Sequence, residues 1–190
     1  EEPMTHSIMA CPVPLDGGAV VDMGDAARLV AMPEPTRETL GDASTQHTVT
    51  AADGVELLVI PDQISAMESE PYNSIRLLTW DVEAWGWPCF VDPEDPPAAL
   101  VAILPEAEIK SEGSAHLRMP NISSLAADSS VDFYVVGGVA TPLFSGEYPE
   151  EGAWVRVSDG AVSSDGQSVS SENGDGLPFF TWAGYKAAAK

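Results

Sequence analysis

The stretch that decides the fold is residues 131–136, which read VDFYVV. Apolar side chains stand at every second position, and this period of two is typical of a β-strand with one buried face. Residues 154–157, WVRV, repeat the pattern with Arg156 on the polar side. We therefore predict that both stretches are antiparallel strands of an all-β domain.

Short apolar or alternating runs of the same kind recur along the chain, separated by Gly, Asp, Asn and Pro. Asp-Gly and Asn-Gly pairs tolerate the positive φ angles of tight hairpins, so they mark reversals. Predicted turns lie at 16–18, 53–54, 92–97, 137–138, 158–160, 165–166 and 173–176, and single helical turns at 64–70 and 123–128. Predicted strands are 19–23, 28–32, 47–51, 55–60, 74–81, 98–104, 115–119, 131–136, 153–158 and 179–185. This pattern indicates an antiparallel β-sandwich, Ig-like or ZU-like, with long acidic loops and at most short helical turns.

The 190 residues divide into three predicted parts. Residues 1–43 form a proline-rich N-terminal segment with candidate edge strands, and residues 44–185 form the β-sandwich domain. Residues 186–190, KAAAK, are interpreted as a linker or an added tail.

The charge of the chain is strongly unbalanced, with 8 basic and 30 acidic residues and a formal net charge of -22. Such a surface repels nucleic acid phosphates and anionic lipids. No apolar run approaches the ~20 residues that cross a bilayer, whereas a hydrophobic content of 44% is enough to bury a core. We expect no nucleic acid partner, no membrane insertion and a secreted or cell-surface location, with solubility supplied by carboxylates.

The two cysteines, Cys11 and Cys89, are far apart in sequence, and each lies beside a proline. We predict a disulfide between them that attaches the N-terminal segment to the domain; the alternative is two buried thiols. The chain begins Glu1-Glu2-Pro3 rather than with a basic and apolar leader, and we interpret it as a mature or excised chain. Asn121-Ile122-Ser123 fits the N-glycosylation pattern.

Residues 48–61, TVTAADGVELLVIP, resemble the opening of ZU-type domains, which occur in zonula occludens proteins, netrin receptors and ankyrins. In this resemblance 53–54 is the turn, 55–60 the strand and Pro61 its end. The segments 104–106 and 117–121 are similar to the proline-closed strands of the family, although its small residue and glycine after Ile-Pro are replaced by 62–63. The resemblance implies an all-β fold and a non-catalytic interaction role.

Residues that carry catalysis are scattered in this sequence. The histidines, His6, His47 and His116, show no ligand-like spacing, and no Gly-x-Ser-x-Gly motif or phosphate-binding glycine loop is present. We expect the protein not to be an enzyme.

Clustered acidic residues make Ca²⁺ the one candidate cofactor, because hard cations bind carboxylate and carbonyl oxygens of flexible loops. The candidate ligands are Asp165, Glu172, Asn173 and Asp175, with 92–95 as a second segment. The alternative is that these are acidic turns facing water.

Aromatic residues are concentrated between Trp80 and Phe90. Trp80 falls in a predicted strand and is expected in the core. Trp85 and Trp87 flank a glycine in a predicted loop, and together with Tyr72 they form a candidate binding patch; the alternative is that they too are core.

These observations predict a non-enzymatic structural or adhesion module that binds a protein partner or assembles with itself. One alternative is a carbohydrate-binding β-sandwich that uses Trp85 and Trp87 to contact a glycan. Another is a filament or sheath subunit in which residues 19–32 are donated as an edge strand.

Overall fold

The computed structural model describes residues 43–66, 75–138 and 141–189. They form ten strands, a four-residue helix and a 3-10 turn, Pro61–Gln63. The strands are β1 His47–Thr50, β2 Glu56–Val59, β3 Ile64–Ala66, β4 Arg76–Thr79, β5 Ala99–Ile109, β6 Ala115–Pro120, β7 Ser130–Val136, β8 Trp154–Val162, β9 Ser168–Ser170 and β10 Phe179–Ala187, and the helix, α1, is Val82–Trp85.

All ten strands belong to one antiparallel sheet in the order β1-β2-β6-β9-β8-β7-β10-β5-β3, and β4 pairs with β5 beside β3. The sheet curls, because Val49 of β1 and Ile64 of β3 pack in the same apolar cluster although their strands lie at opposite ends. Tyr185 of β10 donates a hydrogen bond across the fold to the carbonyl of Pro120 in β6, at 3.3 Å. The predicted all-β, antiparallel class is confirmed.

The concave face of the sheet holds the main core, which we call the inner cluster. Its largest members, Phe133, Phe179, Phe180 and Tyr185, are completely buried. Each side chain of this size contributes about 1.5–3 kcal/mol on burial. The alternation predicted for β7 is present, with apolar residues inward and Asp132 half-buried.

β5 is bent at its centre by a bulge. Ala102 pairs with Trp182 and Ala107 pairs with Phe180, so four residues of β5 stand opposite one residue of β10. β4 pairs with residues 101–104, which include the first half of the bulge, and β3 pairs with residues 107–109 after it. Glu106 is the last of these four residues and has no partner residue in β10.

The eight strands predicted between residues 47 and 185 all overlap observed strands. Three local predictions were wrong: 158–160 lies inside β8 rather than in a turn, 64–66 forms β3 rather than a helical turn, and 123–128 is not helical. β9 was missed. The strands predicted at 19–23 and 28–32 lie outside the described residues.

The boundaries of the sheet differ slightly from the predicted domain. β10 continues through Lys186 and Ala187, which pair with Asp132 and Val131, so two residues of the predicted tail belong to the sheet. The predicted N-terminal segment lies outside the described residues, except for residue 43. In the described part of the chain, no helix has the length and apolar character needed to cross a bilayer.

Candidate functional sites

A second apolar cluster, which we call the outer cluster, lies on the opposite face of the sheet. Strand residues of β4, β5, β7, β8 and β10 supply its base, and the segment 80–97 lies across it. All five tryptophans of the chain take part. The members are Trp80, Phe90, Val91, Leu100, Ala102, Val136 and Trp182, with Leu78, Val82, Trp85, Trp87 and Trp154 packed against them.

Trp80 is central to the outer cluster. Its ring lies 4.9 Å from that of Trp85 and 5.4 Å from that of Trp182, both edge to face. Aromatic pairs in this geometry add about 0.5–1.5 kcal/mol beyond their burial. The indole Nε1 of Trp80 donates to the carbonyl of Gly86 at 2.6 Å, so the same residue fixes the C-terminal end of the helix that carries Trp85.

The helix α1 presents Trp85 because its two ends are fixed locally. Asp81 is the N-cap and accepts a hydrogen bond from the amide of Ala84 at 2.9 Å. Gly86 ends the helix with a φ of 71°, a conformation that favours glycine. Trp85 and Trp87 are both half-buried, which is intermediate between the predicted exposed patch and the core alternative. Tyr72, the third residue of the predicted patch, lies outside the described residues.

The four predicted calcium ligands lie around β9 and the loop after it. Asp165 precedes β9 and Glu172 follows it, so these two carboxylates lie at opposite ends of the strand. Asp165 accepts hydrogen bonds from Ser163 Oγ at 2.6 Å and from the amide of Gln167 at 3.0 Å, and these bonds lower its pKa. Asn173 and Asp175 are exposed.

The carboxylate of Glu172 is hydrogen-bonded to two neighbouring side chains. It accepts hydrogen bonds from Arg118 Nη2 at 2.7 Å and from Ser170 Oγ at 2.8 Å. Partial burial alone would raise the pKa of Glu172, but the hydrogen bonds from Arg118 and Ser170 outweigh it and the pKa is lowered. Among the described residues, no three His, Cys, Asp or Glu side chains converge as a metal site.

His116 is buried, and both of its ring nitrogens face backbone carbonyls. Nδ1 lies 3.0 Å from the oxygen of Ser171, and Nε2 lies 3.1 Å from the oxygen of Gly113. A ring held at both nitrogens links β6 to the loops on either side. His47 lies on the edge strand near Thr45, with 3.4 Å between Nε2 and Oγ1, and His6 lies outside the described residues.

Two further residues singled out in the sequence are Asn121, in the glycosylation pattern, and Cys89, in the predicted disulfide. The side-chain amide of Asn121 donates to the carbonyls of Leu125 and Gly166, both at 2.9 Å. Both hydrogens of the nitrogen that would carry a glycan are therefore engaged in holding two loops. Cys89 is exposed beside Phe90; because Cys11 lies outside the described residues, the Cys11–Cys89 disulfide stays a prediction.

Comparison with known proteins does not extend this picture. No protein family profile, curated protein or solved structure matches the chain significantly. The predicted hairpin at residues 48–61 is present as β1, a turn at 53–54 and β2, but the ZU-type resemblance itself stays a prediction.

Proposed function

We propose that the domain is a non-enzymatic structural or adhesion module of a secreted or cell-surface protein, and that it associates with protein partners, including further copies of itself. We also propose that the curled sheet is a distorted sandwich whose two layers face each other across the inner cluster. The observation that supports association is the edge formed by β1.

Within the described residues, β1 is paired on one side only, with β2. The amide of Ala51 donates to the carbonyl of Val55 at 2.8 Å, where the β1–β2 hairpin closes. Since hydrogen-bonded pairs alternate along an antiparallel ladder, the backbone groups of Thr48 and Thr50 point away from β2. The side chains of these two threonines are exposed.

An edge strand of this kind is a template for strand addition by another chain. The sequence offers a matching donor, since residues 19–32 contain two predicted strands. Strand addition therefore supports both the adhesion role and the alternative role as a filament or sheath subunit. The acidic surface restricts the partners, because net charge of -22 disfavours close packing without salt or a complementary basic surface.

Self-association is tested with Thr48→Pro in the full chain, using Thr48→Ala as its matched control. Proline removes an amide that points away from β2, so the ladder inside the domain is kept while strand addition is blocked. We expect size measurements across concentration to show larger species for the unchanged chain and for Thr48→Ala, but a monomer for Thr48→Pro. A monomer in all three up to about 1 mM, which corresponds to only about −4 kcal/mol, would contradict self-assembly.

Carbohydrate binding is the second candidate, and the outer cluster supports it. Trp85 ends helix α1 and Trp87 lies in the loop after it, and both pack against this cluster while remaining partly exposed. A glycan array with Trp85→Ala and Trp87→Ala tests it, and Tyr148→Ala, an exposed aromatic with 68% of its surface accessible, is the control. Sugar binding predicts a signal that both tryptophan variants lose and the tyrosine variant keeps. An array without signal for the unchanged chain argues against this candidate.

A further inference from the structure

Cys89 lies at the surface of the outer cluster, on the segment that crosses it. Its neighbours Pro88 and Phe90 are buried, whereas Cys89 itself is exposed. The amide of Val91 donates to the carbonyl of Pro88 at 3.0 Å, and the ring of Phe90 lies 5.3 Å from that of Trp182. A group bonded to the sulfur of Cys89 therefore lies on the solvent side of the outer cluster.

The sulfur of Cys89 is not a free thiol. Cys11 is the only other cysteine of the chain. The Cα atoms of a disulfide lie about 4.4–6.8 Å apart, so residues 9 and 13 would lie within about 14 Å of the Cα of Cys89. The connection back to the sheet sets no limit, because residues 12–42 can span about 100 Å, more than twice the width of a domain of this size.

Residues 3–15, PMTHSIMACPVPL, suit an apolar surface. They include no Asp, Glu, Lys or Arg, although 20% of the chain is charged. Apolar side chains stand on both sides of the cysteine, among them Met9 and Val13. Pro12 and Pro14 lack an amide hydrogen, which favours contacts through side chains over addition of a strand. Proline-rich segments of this kind bind surfaces lined with aromatic rings.

The outer cluster offers such an aromatic surface around Cys89. Trp85, Trp87 and Trp154 pack against the cluster and remain partly exposed. Trp87 is only two residues from Cys89, so a segment bonded to this cysteine lies within reach of its ring. The apolar surface, the bonded cysteine and the uncharged proline-rich stretch around the other cysteine therefore point to one occupant.

We infer that residues 3–15 dock on the outer cluster, held by a disulfide between Cys11 and Cys89, with Met9 and Val13 against its partly exposed tryptophans. The disulfide forms by thiol–disulfide exchange: the two sulfurs bond, and their two protons and two electrons reduce a disulfide donor to two thiols. The docked segment covers the rings that a glycan would need, so it competes with the carbohydrate candidate. It does not depend on strand addition at β1, which the size measurements test separately.

The test uses tryptophan fluorescence of the full chain, because all five tryptophans belong to the outer cluster and the signal reports on this face alone. Peptide mapping without reductant first identifies the partner of Cys89, and we expect one linked pair that joins it to Cys11 of the same chain. Acrylamide should then quench the fluorescence weakly in the oxidised chain and more strongly after reduction, when the segment is released.

Two double variants separate docking from the covalent link. Met9→Asp with Val13→Asp keeps both cysteines but places charges in the docked stretch. It is expected to increase quenching and to lower the melting temperature by about 3–6 °C, because apolar contacts are lost. Met23→Asp with Val30→Asp makes the same changes elsewhere in the N-terminal segment and is expected to keep the quenching of the unchanged chain.

Three results would overturn the inference. Two free thiols, or a disulfide that joins two copies of the chain, would remove the link within the chain. Quenching that stays at the level of the unchanged chain in Met9→Asp with Val13→Asp, with the disulfide intact, would show a linked segment that does not cover the tryptophans.

Discussion

Arg118 is the residue that joins three strands of the sheet on their outer side. Its guanidinium contacts Glu56 Oε2 of β2 and Glu172 Oε2, just after β9, each at 2.7 Å. The hydrogen bond that Arg118 donates to Glu172 is the largest of the effects that raise the pKa of Arg118. In a chain with this excess of acid, one cation shared by two carboxylates stabilises the packing of β2, β6 and β9 side by side.

Glu172→Gln is expected to lower the free energy of unfolding at pH 7 by a few tenths of a kcal/mol, because the pair is more than one-third exposed and screened by water. The folded pKa of Glu172 is lowered, so its contribution is complete above the unfolded value of about 4.3. It is lost as the pH falls through the folded pKa. Urea unfolding at pH 7 and at a pH below the folded pKa of Glu172 measures the difference in the free energy of unfolding between the variant and the unchanged chain.

The control for this variant is Glu112→Gln, which removes the same charge from an exposed turn. Removing a charge there relieves general repulsion without breaking an ion pair, so no loss of stability is expected. Equal losses in both variants, or a loss for Glu172→Gln that persists at low pH, would contradict the role assigned to the Arg118 pair.

β8 shows how tertiary packing overrides a local turn signal. Residues 158–160, Ser-Asp-Gly, have the composition of a reversal, yet they continue β8 and pair with β7. Gly160 is required here for space, since a Cβ would lie 2.5 Å from the ring of Phe133 and 2.6 Å from the carbonyl of Ser170. The glycine therefore permits close approach inside a strand rather than a turn.

Gly160→Ala is expected to lower the free energy of unfolding by about 1–3 kcal/mol, the usual cost of overpacking a core. The added methyl has no room unless Phe133 or β9 shifts. Chemical denaturation measures this loss, and Ala161→Gly, in the neighbouring position of β8, provides the comparison for a general change of strand propensity. A Gly160→Ala variant as stable as the unchanged chain would mean that 158–160 does not run through the packed sheet.

The elements that the sequence could predict are those with a local physical signal. Alternation identified β7, and the Asp-Gly pair at 53–54 identified the hairpin of β1 and β2. β9 has three residues and is too short to show a period. β3 also has three residues, and it forms because the region after the bulge of β5 offers it a partner. The local sequence therefore predicts neither β9 nor β3.

The same limit applies to the candidate sites. Trp80 was expected in the core, and Trp85 and Trp87 were expected in a binding patch. The structure packs both Trp85 and Trp87 against the cluster that contains Trp80. Trp154 and Trp182 join them only through the pairing of distant strands.

At the scale of the whole molecule, four of the five Lys and Arg side chains in the described residues contact acidic or carbonyl oxygens. Arg156 contacts Asp132 and Asp159, and Lys186 contacts Asp95. Lys110 donates to the carbonyl of Asp62 at 2.8 Å. With 30 acidic residues against 8 basic ones, most carboxylates remain to repel one another, and this repulsion opposes the compact state.

Salt should therefore stabilise the protein. We expect the melting temperature at pH 7 to rise by about 5 °C between low salt and 1 M NaCl, because the screening length falls from about 10 Å at 0.1 M to about 3 Å at 1 M. The rise should largely disappear near pH 4.1, where the sequence carries no net charge. Thermal unfolding at both pH values separates screening of repulsion from a general effect of salt on hydrophobic burial, which does not depend on net charge. An equal rise at the two pH values would show that carboxylate repulsion does not limit the stability of this fold.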